Sequence, residues 1–200
     1  MTQIMTPSKT TTDGQIIKAV ANYRALLEKH AGEFDAEAVQ TVLGQPEFAK
    51  EQLAILRRRV EAVSNIIVRK VKVNRSRSPQ EALDATGRVQ YTNSKVVGKM
   101  PKAEADEVEI VFFKPDLSER NGYISDDDLA HEFERHGFKP VDPISLAAAD
   151  PDFLVGTHWK DADGKWNFAA FCRWHGKRKV NVDRNDNDWD GYWWFAGVRK

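Results

Sequence analysis

All six tryptophans, at 159, 166, 174, 189, 193 and 194, fall within the last 42 of 200 residues. Their spacing within that stretch is ordered. Trp166, Phe168, Ala170, Cys172 and Trp174 alternate, so an extended strand carries all five on one face. Trp193 and Trp194 are adjacent, and in a strand they point to opposite faces, so aromatic bulk stands on both sides of the sheet this segment makes. DADG at 161–164 and His175–Gly176 read as turns, and RNDND at 184–188 reads as a loop. Residues 154–200 are therefore expected to form a β-meander.

Upstream the periodicity changes. Residues 1–12 are rich in Thr and Ser and read as a flexible tail. From Gly14 to His30, Ile16, Ile17, Val20, Tyr23, Leu26 and Leu27 recur at helical spacing, with Asp13 placed as the cap. Asp35 to Leu43 reads as a second helix closed by Gly44, and Pro46 to Ser64 as a third, with Phe48, Leu53, Leu56, Val60 and Val63 as its apolar stripe. Residues 13–64 thus form a helical unit. The β-branched run after Ser64 begins a strand, Ser78 and Glu81 spell a capping box, and 88–106 reads as irregular with one short strand at Val96–Val97. Val108–Phe113 is a further strand. Ser125 caps a helix that Gly137 stops, with Asp126 and Asp127 at the positive end of its dipole, and Asp142 starts a last short helix. The expected class is α+β, with a helical unit over 13–64 and an α+β domain over 65–200.

Composition narrows the function classes. Thirty basic and thirty acidic residues give a formal net charge of +0, which excludes a uniformly cationic nucleic-acid binder and a polyanionic tail. Counted by halves, residues 1–100 carry 16 basic and 10 acidic side chains and residues 101–200 carry 14 and 20, so neutrality is +6 against −6. The opening residues show no secretory signal, and no stretch reaches the roughly 20 apolar residues of a membrane span. A cytoplasmic protein is expected. The single Cys172 fits a small strand residue better than a reactive thiol.

Asp186, Asp188, Asp190 and Gly191 spell D-x-D-x-D-G, the first half of a calcium loop, but Gly197 stands where the bidentate Glu belongs. Ca²⁺ is a weak candidate there, and no other cofactor is expected. HEFERH separates His131 from His136 by five, off the four-residue spacing of a zinc helix. No phosphate-loop, dinucleotide, nucleophile-elbow or C-x-x-C signature occurs. A hydrolase assembled from Asp and His of the last 75 residues is the third-ranked reading. Arg57, Arg58, Arg59, Arg69, Lys70, Lys72, Arg75 and Arg77 fall within 21 residues holding one acid, Glu61. Lys70 and Lys72 would leave one side of a strand, either toward phosphates or toward the acidic segment 104–109.

The segments WNFAAFCRW, VNVDRNDNDW and WWFAGVRK resemble the tail of a family of bacterial proteins with no assigned activity. More faintly, residues 105–200 resemble the C-type-lectin-type domain in variable proteins of diversity-generating retroelements. That resemblance implies a diversified contact surface with His175, Asp183, Asp190 and Tyr192 as contact positions, and Trp174, Trp194, Phe195 and Gly197 as scaffold. It supplies no catalytic residue. The leading expectation is a non-enzymatic protein that binds a protein or glycan through His175, Asp183, Asn185, Asn187, Trp189, Asp190, Tyr192 and Trp193, where rigid aromatics alternate with polar groups. The alternative is a nucleic-acid accessory protein using Arg69, Lys70, Lys72, Arg75 and Arg77 of segment 57–77.

Overall fold

The N-terminal helices begin where their caps are strongest. α1 spans Asp13–Lys29, and its cap is Thr12, one residue before the expected Asp13. The Thr12 hydroxyl accepts from Gln15 N at 3.3 Å while the Gln15 amide oxygen accepts from Thr12 N at 2.9 Å. Asp13 would face Ile16 at the same offset, and Ile16 cannot return the second bond. A 3₁₀ turn, Ala31–Glu33, leads to α2, Ala36–Leu43, capped by Asp35, and α3 runs Pro46–Val63. The computed structural model describes residues 12–63 and 66–200, with the side chains of Arg58 and of 61–63 outside that description; of the tail expected over 1–12, residues 1–11 also lie outside it, and Thr12 is the cap of α1. The chain divides into two units, 1–64 and 65–200. No residue of the first unit is buried among those described.

The second unit is α+β, built on an open, aromatic-rich and mainly antiparallel sheet. Its elements in chain order are β1 (Ile66–Lys72), α4 (Pro79–Asp84), β2 (Val89–Thr92), α5 (Ser94–Val97), β3 (Glu107–Phe113), β4 (Tyr123–Ile124), α6 (Asp126–Arg135), β5 (Phe138–Pro140) and α7 (Pro143–Ala149). β6 (Val155–Lys160), β7 (Trp166–Trp174), β8 (Lys177–Arg184), β9 (Trp189–Asp190) and β10 (Trp194–Arg199) follow. The sheet order is β1-β3-β10-β6-β7-β8-β2, with β5 also on β10, and β4 and β9 form a separate ribbon. β6, β7 and β8 are the expected meander, turned at Gly164 and at His175–Gly176, whose residues all have positive φ. Beyond β8 that expectation fails. β9 leaves the sheet for β4, and β10 returns between β3 and β6, parallel to β6.

The strand expected at Val96–Val97 is a helical turn, because the Asn93 side chain accepts from Lys95 N and caps it. The strand of that region is β2, the sheet's edge, parallel to β8.

Alternation divides the sheet between two cores. Ile110, Phe112, Phe171, Val180, Val182 and Ala196 pack with α4, α5 and α7 on one face. Val111, Phe113 and Phe195 pack on the other with Leu129 and Phe133 of α6 and with Trp189. Trp194 joins the first core and Trp193 the second, as their adjacency requires. No helix among the described residues is long and apolar enough to cross a membrane.

Gly197 sits where β10 passes beneath α6. A Cβ there would lie 2.9 Å from Phe133 Cε1 and 3.2 Å from the backbone oxygen of Lys139. Gly197→Ala is expected to cost about 1–3 kcal/mol through forced displacement of packed groups, measured by urea denaturation.

Candidate functional site

α6 is fixed over the sheet by one carboxylate. The spacing of Asp126, Leu129 and Phe133 places all three on one helix stripe, and all three are buried. Asp126 Oδ1 accepts from His158 Nδ1 of β6 at 2.7 Å and from Trp189 Nε1 of β9 at 2.8 Å, and Oδ2 accepts from Asn185 Nδ2 at 2.7 Å. With the carboxylate an acceptor only, the His158 proton on Nδ1 is set. The ring of His158 is 1% exposed, stacked on Trp166 at 4.5 Å and on Phe133 at 5.5 Å. Nε2 is buried without a hydrogen-bond partner. A substrate has no approach to that nitrogen here, so the Asp–His pair orients the ring and holds three segments together. Above it Asp127 accepts from Lys160 Nζ at 2.9 Å and Trp166 Nε1 at 3.2 Å, and these bonds hold its carboxyl below the usual range.

The residues expected to form one contact surface are dispersed. Trp189 is 4% exposed and belongs to the core, Asn185 is committed to Asp126, and Trp193 packs edge-on to Trp189 at 4.8 Å. Asp183 accepts from Asn93, Asp190 accepts from Tyr192 N, and Asn187 is exposed beside Asn185. Tyr192 is 77% exposed. His175 stands at the β7–β8 turn, separated from Asn185 by the whole of β8, roughly 27 Å for an eight-residue strand. The carboxylates of Asp186, Asp188 and Asp190 do not converge, and no group of three His, Cys, Asp or Glu with metal-holding geometry occurs among the described residues.

From β1 onward the cations of the basic segment are largely occupied within the second unit. Lys70 and Lys72 do leave one side of β1, but they stand opposite Glu109 and Glu107 of β3, with Lys72 Nζ 3.7 Å from Glu107. The Arg69 guanidinium lies over Phe112 and Phe153. Arg75 donates to Asp142 at 2.9 Å and to Ser145 Oγ at 2.8 Å. Arg77 is exposed and, with Lys72 and Asn74, lines a cleft of about 320 Å³.

A different surface emerges from the sheet. On the α6 face, the central strands are covered, while β8, β2 and the far end of β7 are bare. Register places Trp174 opposite Lys177, Cys172 opposite Lys179, Val89 beside Lys179 and Tyr91 beside Asn181, all on that face. Trp174 is 61% exposed and Tyr91 56%. The Lys179 ammonium lies 5.3 Å from the Tyr91 ring centre, and His175 meets Trp174 edge-on at 5.4 Å. Among the described residues no ion pair holds Lys177 or Lys179, and the nearby Asp150 and Asp152 are taken by Arg178 and Arg173. Burial pushes the Cys172 thiol up, which keeps it protonated and poorly nucleophilic.

The support beneath this face is Arg88. Its side chain is buried and donates to the carbonyls of Cys172 at 3.1 Å and Lys179 at 3.3 Å and to Asp150 at 3.0 Å. With the Pro151 carbonyl as a fourth acceptor, these bonds make the hairpin a rigid platform. Sequence reasoning missed both Arg88 and Asp126. For Asp126 the 126-129-133 spacing was the available signal; Arg88, in a stretch read as irregular, offered none.

Compared with known protein families, with curated proteins and with solved structures, the chain matches none.

Asp126→Ala leaves His158, Trp189 and Asn185 without their shared acceptor and is expected to cost about 3–5 kcal/mol, seen as an earlier urea midpoint in tryptophan emission. His136, packed against Phe113 and Phe138, has its pKa lowered from 6.5 by burial despite nearby Glu132. The folded state thus binds fewer protons than the unfolded chain below pH 6.5, and stability falls as pH drops through that window. In His136→Gln, urea midpoints between pH 7 and 5 are expected to vary less than in the parent.

Proposed function

We propose that this chain is a non-enzymatic binding protein whose working surface is the uncovered face of β2, β7 and β8, and that it takes single-stranded nucleic acid. The observation that carries the reading is the pairing of two exposed rings, Trp174 and Tyr91, with two ammonium groups, Lys177 and Lys179, that have no carboxylate partner among the described residues, on one rigid sheet face. Exposed rings on strands supply base stacking, and lysines beside them supply phosphate contacts. Strand spacing and rise put the two rings roughly 16 Å apart, a gap that several stacked or stretched nucleotides bridge. Lys179 lies midway between them, and Asn181 stands directly beside Tyr91 as a hydrogen-bonding group.

The ammonium groups favour this ligand over a neutral glycan, which needs acceptors and amides around the ring and not two cations. The diversified-receptor reading has less support, because His175 and the loop after β8 occupy opposite ends of that strand. Use of 57–77 as the phosphate surface is disfavoured by the Glu107, Glu109 and Asp142 partners of its cations.

Fluorescence anisotropy of a labelled oligothymidylate tests the proposal. Stacking is worth about 1–3 kcal/mol per base, so Trp174→Ala is expected to weaken binding by roughly 5- to 150-fold while shifting stability by less than about 0.5 kcal/mol. Lys177→Glu with Lys179→Glu is expected to flatten the salt dependence. Binding that is absent at low salt, or undiminished in Trp174→Ala, would sink the idea. Equal affinity for polyglutamate would reduce the surface to a general anion attractor and also defeat it.

A further inference from the structure

The first unit presents a different problem from the sheet. Fourteen of the twenty large apolar side chains exposed in the described structure belong to residues 12–63. They are ordered along the helices. In α1, Ile16, Val20, Tyr23 and Leu27 follow a 4-3-4 spacing, and in α3, Ala49, Leu53, Leu56 and Val60 follow 4-3-4 as well. That is an a/d seam, widened in α1 by Ile17 and Leu26 on its flanks, of the kind that bundle helices bury against other helices. The seams are 42–61% exposed at Ile16, Val20, Tyr23, Leu27, Leu53, Leu56 and Val60. Gln52 of α3 donates to the Tyr23 hydroxyl of α1 at 2.6 Å, so the two long helices meet within the unit and still leave their seams open.

We infer that this helical unit is a self-association module, and that a second copy of the chain covers its seams in a two-fold helical bundle. Three observations select a second copy as the occupant. The first is the heptad spacing itself, which is self-complementary when two identical helix pairs meet about a two-fold axis. The second is area. A Val, Leu or Ile side chain carries roughly 60–120 Å² of apolar surface removable from water, and about half remains open here. The fourteen exposed groups of the unit, those of α2 and the turn before it included with the seams, amount to roughly 600 Å² per chain, or about 1,200 Å² for a pair, so the second copy must cover α2 as well as the seams to reach the lower bound of a specific, stable interface. The third is charge. Residues 13–63 hold seven basic and eight acidic side chains, and the whole chain is neutral, so no net repulsion opposes two copies and no oppositely charged partner is called for.

Unlike the nucleic-acid reading, this inference depends on nothing in the sheet, and its measurement uses no nucleic acid. Sedimentation equilibrium of the full chain at tens of micromolar should return twice the chain mass of 22.7 kDa. Leu53→Asp with Leu56→Asp should return the single mass. All six tryptophans lie in the second unit, so their emission reports the sheet alone and should be unchanged in this variant. On dilution of the parent, helical circular dichroism should fall in step with dimer dissociation while tryptophan emission stays constant. A parent that sediments as a monomer with concentration-independent helicity would overturn the inference, as would a double variant that remains dimeric. Association only on addition of a different protein would assign the seams to a foreign partner and overturn it equally.

Discussion

The Asp126 carboxylate is the constraint on which the second unit turns. Three donors reach it from β6, from the loop after β8 and from β9, at 32, 59 and 63 positions from Asp126 in the chain. Each donor is a group that would cost free energy if buried alone, and the carboxylate itself cannot be buried without them. The cluster fixes where α6 lies, and with it where cover over the sheet stops. Past Ala170 the α6 face carries the exposed rings of Trp174 and Tyr91, the exposed Lys177 and the half-buried Lys179.

The same sheet therefore has two characters. Toward β10 it is a protein interior, with aromatic rings edge-on to one another around Phe113, Phe195 and Trp189. Toward β2 it is a platform held from below by Arg88, which ties both strands of the hairpin through their carbonyls. Rigidity and exposure coincide there. A side chain displayed on regular strands loses little entropy on meeting a flat ligand, which is the physical advantage of building a binding face on a sheet in place of a loop.

Much of this was legible locally. The Ser78 box, the Asp35 and Ser125 caps and the His175–Gly176 turn depend on residues within three or four positions of each other, and each forms as expected. So does the division of Trp193 and Trp194 between two cores, because alternation in a strand is a local property. What was not legible depends on partners distant in sequence. Lys70 and Lys72 read equally as phosphate contacts or as partners of segment 104–109, and only the register, which sets Glu109 and Glu107 opposite them, decides for the second. Asp126 reads as an exposed acid at a helix start until His158, Asn185 and Trp189 arrive. β2 escaped notice because its apolar–polar alternation runs for only four residues, and only pairing with β8 defines it as a strand. Trp189 and Tyr192, three residues apart, read as equals, yet one is core and the other solvent-exposed.

The position of β10 has a consequence for how the sheet comes into being. It is the last strand in chain order, yet it lies in the middle, between β3 and β6. Until it is in place, β1 with β3 and β6 with β7 and β8 are two separate ribbons with no edge in common. Every strand pairing that unites them is long-range in sequence, which makes folding of this unit slow compared with a helical one of the same size. On a translating ribosome the aromatic platform could form as a hairpin early, but it would not be anchored to the rest of the sheet until β10 has emerged.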